Sequence, residues 1–259
     1  MSDPIADRLA LAQRLATEAG RLALRFFHDR DELEIETKGN PQNIVSRADR
    51  AVEALIRRGI GAAFPEDAIL GEEDGRSEGK SGVTWVIDPI DGTSPFLAGL
   101  PHWCVALALV EGTTTVAGVI EVPVAEEQFT ARRGKGAWLD GAPMRVRPGA
   151  RLDNSLTAIG ASHRTDPEHA AQVIGDLMRA GGLFYRNGSG ALMLASVAAG
   201  RLGGYYEPHM HPWDCLAGML MVAEAGGRCT TLPGPLQAGG LVMATAPGLW
   251  DDLARIAGV

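Results

Sequence analysis

The strongest constraint on the fold of this chain is that separate apolar segments meet carboxylates at their ends. Ala68-Ile69-Leu70 runs into Gly71-Glu72-Glu73, and the stretch 84–87 runs into Asp88-Pro89-Ile90-Asp91-Gly92-Thr93. A further acid, Asp214 in Trp213-Asp214, opens a long run of small and apolar residues. The end of a buried strand is a poor place for uncompensated charge, and carboxylates gathered in one place repel each other unless a cation sits among them. If Glu72, Asp88, Asp91 and Asp214 converge, their hard oxygen atoms suit Mg²⁺, Mn²⁺ or Ca²⁺. A Gly-Thr turn beside them can present backbone N–H groups to an anion, so the combination reads as metal-assisted phosphate chemistry.

Hydrophobic spacing divides the rest of the chain. Ile5, Leu9, Ala12, Leu15, Ala16, Ala19, Leu22, Ala23 and Phe26 recur at helical intervals and predict a helix over 5–27. The polar stretch 36–43, with Gly39 and Pro41, reads as a loop or tight hairpin. A second helix is expected over 46–63, stopped by Pro65. After the strand at 68–70, a flexible loop is expected over 75–82, then a strand over 84–87 that ends at Asp88. Stretches 105–110, 115–122 and 128–131 read as consecutive antiparallel strands, continued over 134–146, with turns at Glu111-Gly112 and Asp140-Gly141. Beyond 150, strands (156–161, 183–185, 203–206, 240–244) alternate with helices (167–180, 190–199, 213–226, 248–256). Antiparallel strands first and alternation later predict stacked layers of helices and sheets. The expectation is one unit over 1–259, an α+β half to about 150 and an α/β half after it, without a clean linker.

Composition removes several function classes. A hydrophobic fraction of 46% with 22% charged residues is ordinary for a folded protein. The net charge of −8, with no long Lys/Arg tract, argues against nucleic acid as a partner. No apolar run reaches the ~20 residues that span a bilayer, and Met1-Ser2-Asp3-Pro4 has neither a basic region nor an apolar signal core, so a cytoplasmic location is expected. Cys104, Cys215 and Cys229 are odd in number and lack CxxC spacing, which reads as reduced packing residues.

Each candidate residue also has a plainer reading. Asp88-Pro89-Ile90-Asp91 is either a pair of carboxylates converging on one cation or an acidic turn with no ligand; Pro89 sharpens the exit from the strand. A short helix starting at Thr93 would place its N-terminus against a phosphate. Glu72-Glu73 taken alone is a solvated pair, and Asp214 taken alone is a helix N-cap. Asp49 is either a hydroxyl partner or a surface acid in a first helical turn, and Lys38 either neutralises phosphate or is only solvated. His209 and His211 are expected to line the pocket or its rim rather than bind metal, because imidazole suits zinc better than a carboxylate-rich site. The Asp-Gly-Thr tripeptide also occurs in haloacid-dehalogenase phosphatases, but there one residue separates the aspartates and the motif lies near the start of the core. Here two residues separate Asp88 from Asp91 and the motif lies deep in the chain, so that reading is rejected.

Taken in order, these segments resemble the inositol monophosphatase family, within the wider group of lithium-sensitive, magnesium-dependent phosphatases. The resemblance runs from Lys38 and Asp49 through Gly71-Glu72-Glu73, Trp85 to Thr93, and Tyr206-Glu207 to Asp214, ending at Glu224-Ala225-Gly226-Gly227. It implies an α/β fold, a layered αβαβα sandwich of the inositol monophosphatase / fructose-1,6-bisphosphatase type, usually a homodimer, that hydrolyses a small phosphorylated substrate. It implies two to three Mg²⁺ ions, with Mn²⁺ as a substitute and Li⁺ as an inhibitor. Glu72, Asp88, Asp91, Asp214 and the Ile90 carbonyl resemble the family's metal ligands, Glu72 and Asp91 also taking part in catalysis. Thr93 and Asp49 resemble the pair that positions the attacking water, and the Gly92 and Thr93 N–H groups the phosphate cradle. Glu207 occupies the position that reads substrate hydroxyls; Gly188, Ser189 and Gly190, with Ala191 and Asp214, line the same pocket. Lys38 resembles a loop lysine that helps place a third, weaker metal, and Glu73 is the less suited of the two glutamates to touch the first. The implied reaction is direct in-line attack by water, without a covalent enzyme intermediate.

The substrate is less sharply specified. Ser94-Pro95-Phe96-Leu97-Ala98-Gly99 departs from the Asn-Phe common in inositol phosphatases and lacks the Lys-Glu pair frequent in nucleotide-acting relatives. Glu207 suits a polyol but would also suit the cation of histidinol phosphate. Inositol monophosphate is placed first, histidinol phosphate second, a bisphosphate nucleotide third, and a non-catalytic interaction role stays open.

Overall fold

The computed structural model describes residues 3–30, 35–37, 44–233 and 236–259, with backbone alone for 35–37 and 44–46; Lys38 lies outside the described residues. Helix α1 (Pro4–His28) starts where Asp3 Oδ1 accepts from the N–H groups of Ile5 and Ala6, each at 3.2 Å, and buries the stripe Leu11, Leu15, Ala16, Ala19 and Ala23. Strands β1 (Ile35–Thr37) and β2 (Ile44–Ser46) pair antiparallel, and β2 leads into α2 (Arg47–Ala63); residues 38–43 of the expected loop or hairpin lie outside the described residues.

The first large sheet is built from β3 (Ala68–Gly71), β4 (Gly75–Ser77), β5 (Val83–Asp91) and, after the one-turn helix α3 (Thr93–Leu97), β6 (Cys104–Glu111), β7 (Thr114–Val122), β8 (Glu127–Arg132), β9 (Gly136–Leu139) and β10 (Ala142–Pro143). Its eight strands lie in the order β10-β9-β8-β7-β6-β5-β3-β4, antiparallel except where β3 runs parallel to β5. Sequence period 2 shows directly in β6. Cys104, Ala106, Ala108 and Val110 enter one hydrophobic layer while Val105, Leu107 and Leu109 enter another, so both faces of the sheet are buried.

The second half supplies β11 (Leu156–Ile159), α4 (Pro167–Arg179), β12 (Leu183–Tyr185), α5 (Gly190–Ala198), β13 (Gly204–Met210), α6 (Pro212–Glu224), β14 (Arg228–Cys229), β15 (Gly240–Thr245) and α7 (Trp250–Ala257). Its five strands are ordered β12-β11-β13-β15-β14. Helices α1 and α2 cover one face of the large sheet, α5 and α6 fill the space between the two sheets, and α4 and α7 cover the outer face of the smaller one. This is the αβαβα sandwich. No helix among the described residues is long and apolar enough to cross a membrane.

Two expectations are corrected. Part of the loop expected over 75–82 is β4, which pairs with β3 through Ile69–Ser77 and Leu70–Arg76. As an exposed edge strand of Gly-Arg-Ser it has no apolar alternation to betray it. The strand expected to end at Asp88 continues to Asp91, because pairing with β6 resumes after one extra residue: Asp88 faces Ala106 and Asp91 faces Cys104. Pro89, which has no N–H to give, sits in that bulge.

The sheet is tied to α1 by a buried polar cluster. Asp67, ahead of β3, accepts a forked pair of bonds from Arg8 (Nε and Nη2, both 2.7 Å) and a third from Trp85 Nε1 at 2.8 Å. Burial raises the Asp67 carboxyl, but these donors outweigh it and hold the group below its ordinary range. Asp67→Ala strips the half-buried Arg8 guanidinium of its carboxylate and leaves the buried indole N–H of Trp85 without an acceptor. It is expected to cost about 1–3 kcal/mol, measured as the change in urea unfolding free energy.

Candidate active site

The bulge in β5 creates the site. In a regular strand, residues three apart point to opposite faces. The extra residue between Asp88 and Asp91 cancels that alternation, and both carboxylates line one cavity of about 170 Å³. Asp88 Oδ1 accepts from the N–H of Ile90 at 3.0 Å, which fixes the carboxylate over the bulge. Glu72 enters from the end of the neighbouring strand β3; its own N–H continues the ladder to the Ile87 carbonyl at 3.2 Å. Asp214 arrives on the first turn of α6. The N-cap there is His211, and Asp214 accepts from the His211 N–H at 3.0 Å from the third helical position, so the N-cap reading of Asp214 is replaced by this one. One oxygen from each of Glu72, Asp88 and Asp214 lies within 4.8 Å of the others.

Asp91 sits beside this cluster and is held from behind. Its Oδ2 accepts from Ser189 Oγ at 2.5 Å and from the Ala191 N–H at 2.7 Å, at the start of α5, and the Cys104 thiol approaches to 3.8 Å. Ser189, expected in the substrate pocket, is fully buried and spends its hydroxyl on Asp91 and on capping the Leu192 N–H at 3.2 Å. Ala191 likewise reaches Asp91 and does not line the cavity. Ile90, Gly92, Thr93, Gly188, Gly190 and Glu207 do line it. Gly92 has φ 95°, and a Cβ there would lie 2.7 Å from the His102 carbonyl oxygen, so only glycine fits the turn into α3. Thr93 Oγ1 stands 3.2 Å from the Ile90 carbonyl and 3.4 Å from Asp49 Oδ1. Asp49 is 1% exposed, which rules out the surface-acid reading.

The carboxylates burden one another. Burial, then Glu72, Asp91 and Asp214, push Asp88 well above the ordinary range. Burial and Asp91 push Asp214 to about 7. Asp91 is raised by burial in spite of the Ser189 and Ala191 donors.

The opposite wall was only partly anticipated. Glu207, buried and raised to about 7 by desolvation, accepts a hydrogen bond from Tyr205 Oη. Around it stand Arg164, Arg186 and Ser162, none of them singled out by the sequence. Arg186 Nη2 donates to the Ala161 carbonyl at 3.0 Å, joining the segments that follow β11 and β12. The only hint in the sequence was that Arg186 lies two residues before Gly188; a lone arginine in a loop has no period to mark it. His209 and His211 are absent from the lining. His211 stacks on Trp213 at 4.7 Å, and burial followed by Arg164 lowers it to about 4. His209 Nε2 lies 3.2 Å from the Ala238 carbonyl.

Oxygens bound to one hard cation at about 2.0–2.6 Å are at most about 5 Å apart, and the Glu72–Asp88–Asp214 set lies within that span. Fold and site together define a layered α/β protein with an acidic cation centre at its strand ends. The chain belongs to the inositol monophosphatase family, whose model matches residues 6–257. It is 39% identical over 230 residues to the Nus factor SuhB of Escherichia coli K12, covering 87% of this chain and 85% of that protein. It is 37% identical over 232 residues to the inositol-1-monophosphatase of Rhizobium meliloti, covering 87% and 86%. The structure of extragenic suppressor protein suhB from Bartonella henselae superposes with a TM-score of 0.91 at 33% identity, covering 97% and 98% of the two chains.

At neutral pH without divalent cations, Asp88→Asn is expected to raise the melting temperature by a few degrees. It removes a buried carboxyl whose ionisation its neighbours oppose, while its amide carbonyl still accepts from Ile90. Millimolar Mg²⁺ or Mn²⁺ is expected to raise the wild-type value and to leave the variant nearly unchanged. Differential scanning calorimetry checks this; a wild type indifferent to both ions would remove the cluster as a cation site.

Proposed function

We propose that this protein hydrolyses a small phosphate monoester of a neutral polyol, inositol monophosphate first, by direct attack of water. The observation that carries the reading is the convergence of Glu72, Asp88 and Asp214 in the cavity that also holds Asp91, Gly92 and Thr93. Divalent cations, when bound, supply the positive charge that acidifies water and stabilises the leaving oxygen. Glu72, Asp88, Asp91, Asp214 and the Ile90 carbonyl would hold them. Thr93 Oγ1 has one proton and two acceptors in reach, Ile90 O and Asp49 Oδ1, so its lone pairs remain to accept from the attacking water and orient it. Backbone N–H groups at Gly92 and Thr93 would receive the phosphate oxygens, and Glu207, braced by Tyr205, would bind leaving-group hydroxyls.

Arg164 and Arg186 bear on the choice of leaving group. Two guanidinium groups face one carboxylate across the pocket wall, which favours neutral inositol over cationic histidinol. The same cations would accept a second phosphate, so a bisphosphate nucleotide belongs in the test. Phosphate release with Mg²⁺ is measured from inositol 1-phosphate, histidinol phosphate and adenosine 3′,5′-bisphosphate. Inositol 1-phosphate is expected to give the highest kcat/KM, and Asp91→Asn to lose about a hundredfold or more while staying folded. A fully active Asp91→Asn protein would sink the mechanism. Relatives named Nus factors favour one other reading, a binding role. Folded, metal-bound wild type that releases phosphate from none of the three would favour it.

The homodimer implied by the family would use the apolar face at the edge strand β12. Leu183 is 65% and Phe184 40% exposed there, and Leu183 pairs with Leu156, which borders a second, apolar cavity beside Val124. Leu183→Glu combined with Phe184→Glu is expected to convert a dimer to a monomer in sedimentation velocity, without loss of helical circular dichroism.

A further inference from the structure

Glu53 lies on α2, is fully buried, and does not line the cavity. Its carboxylate reaches the turn that follows β3. Oε2 accepts from the Glu73 N–H at 2.8 Å; Oε1 accepts from the Asp74 N–H at 3.1 Å and from Arg57 Nε at 2.7 Å. Arg57 extends the clamp, donating Nη2 to the Gly75 carbonyl at 2.5 Å and Nη1 to Ser77 Oγ at 3.0 Å. The backbone is shaped to admit this carboxylate: a Cβ on Gly71 would lie 2.1 Å from Glu53 Oε1 and 2.8 Å from Arg57 Nη2. Glu72 therefore sits inside a segment gripped at both ends, with its own N–H on Ile87 and the next two N–H groups on one buried anion.

A plain helix-stabilising pair between residues four apart would explain Arg57 and Glu53 on a solvated surface, at a few tenths of a kcal/mol. It does not explain why the carboxylate is buried, or why two of its acceptor positions go to the backbone beside Glu72. Asp88 lies within strand β5 and Asp214 on helix α6, whereas Glu72 lies just beyond the end of a strand. Repulsion from Asp88 and Asp214 opposes the placement of Glu72, which has neither strand nor helix of its own to hold it there. We propose that Glu53 is a positioning residue: by pinning the Glu73 and Asp74 N–H groups it holds the Glu72 carboxylate against Asp88 and Asp214 and so sets the cation affinity of the site. The inference rests on the reading of those three carboxylates as cation ligands.

The test is calorimetric titration of Mn²⁺ into metal-free wild type, Glu53→Gln, Glu53→Asp and Asp88→Asn, with urea unfolding of each. Glu53→Gln turns an amide donor onto groups that all donate, and it is expected to raise the Mn²⁺ Kd about ten- to a hundredfold. Glu53→Asp keeps the charge but withdraws it by one methylene, and is expected to fall between; it carries the test if Glu53→Gln does not fold. A purely structural Glu53 would lower the urea midpoint and leave the Kd of the folded variants at the wild-type value, which overturns the proposal. Wild type that binds no Mn²⁺ would overturn the cation site itself, an outcome separable from the first because it appears without any change at Glu53.

Discussion

Glu72, Asp88, Asp91 and Asp214 would relax most easily by moving apart, and each is prevented by a different part of the fold. Asp88 is locked by the Ile90 N–H within its own bulge, and Asp214 by the His211 N–H at the start of α6. Asp91 is locked by Ser189 and Ala191 at the start of α5, and Glu72 by the clamped turn after β3. For the three aspartates the brace is a donor aimed at the carboxylate, and for Glu72 it is the Glu53 carboxylate accepting from the next two backbone N–H groups. These bonds orient the charges without neutralising them, so Asp88, Asp91 and Asp214 remain raised in pKa and the cluster still favours a cation. This is stored electrostatic strain of the kind that rigid elements can hold and loops cannot.

The two sheets contribute to the cavity by the same local device. In β5, Asp88-Pro89 opens a bulge before pairing resumes at Asp91; in β13, Glu207-Pro208 opens another before pairing resumes at Met210. In both, an acid immediately precedes a proline that cannot donate to the ladder, and the strand bends where the acid must face the cavity. The bulge in the large sheet supplies the cation side, and that in the small sheet supplies the wall that meets the leaving group.

Much of this was legible before any coordinates. The helices, the central strands and their stacking in layers follow from spacing of apolar residues, because β5, β6 and β7 are buried on both faces and α1 on one stripe; the five-layer order came from the family resemblance. The residues that line the cavity at its cation end were legible because they are charged where neighbours are apolar. What escaped notice depends on partners rather than on pattern. β4 is an exposed edge held by backbone bonds. Ser189 looks like a pocket residue until Asp91 is seen to occupy its hydroxyl. Arg164 and Arg186 are single charges in loops, and Glu53 falls on a helix where an acid is ordinary, its role visible only once the turn beyond β3 is seen to fold onto it. The fate of Lys38 lies outside the described residues.

The middle layer of the sandwich has a consequence for how the chain comes to be folded. The large sheet is complete in sequence by Pro143, yet the face bearing Ile120, Val122, Phe129 and Ala131 is covered by α5 and α6, the second of which ends at Glu224. During synthesis that face must wait some 80 residues for its cover, roughly 4–16 s at cellular elongation rates. A sheet that formed before α5 and α6 were made would carry that apolar surface unshielded through the interval, the kind of exposure that makes folding intermediates prone to aggregate.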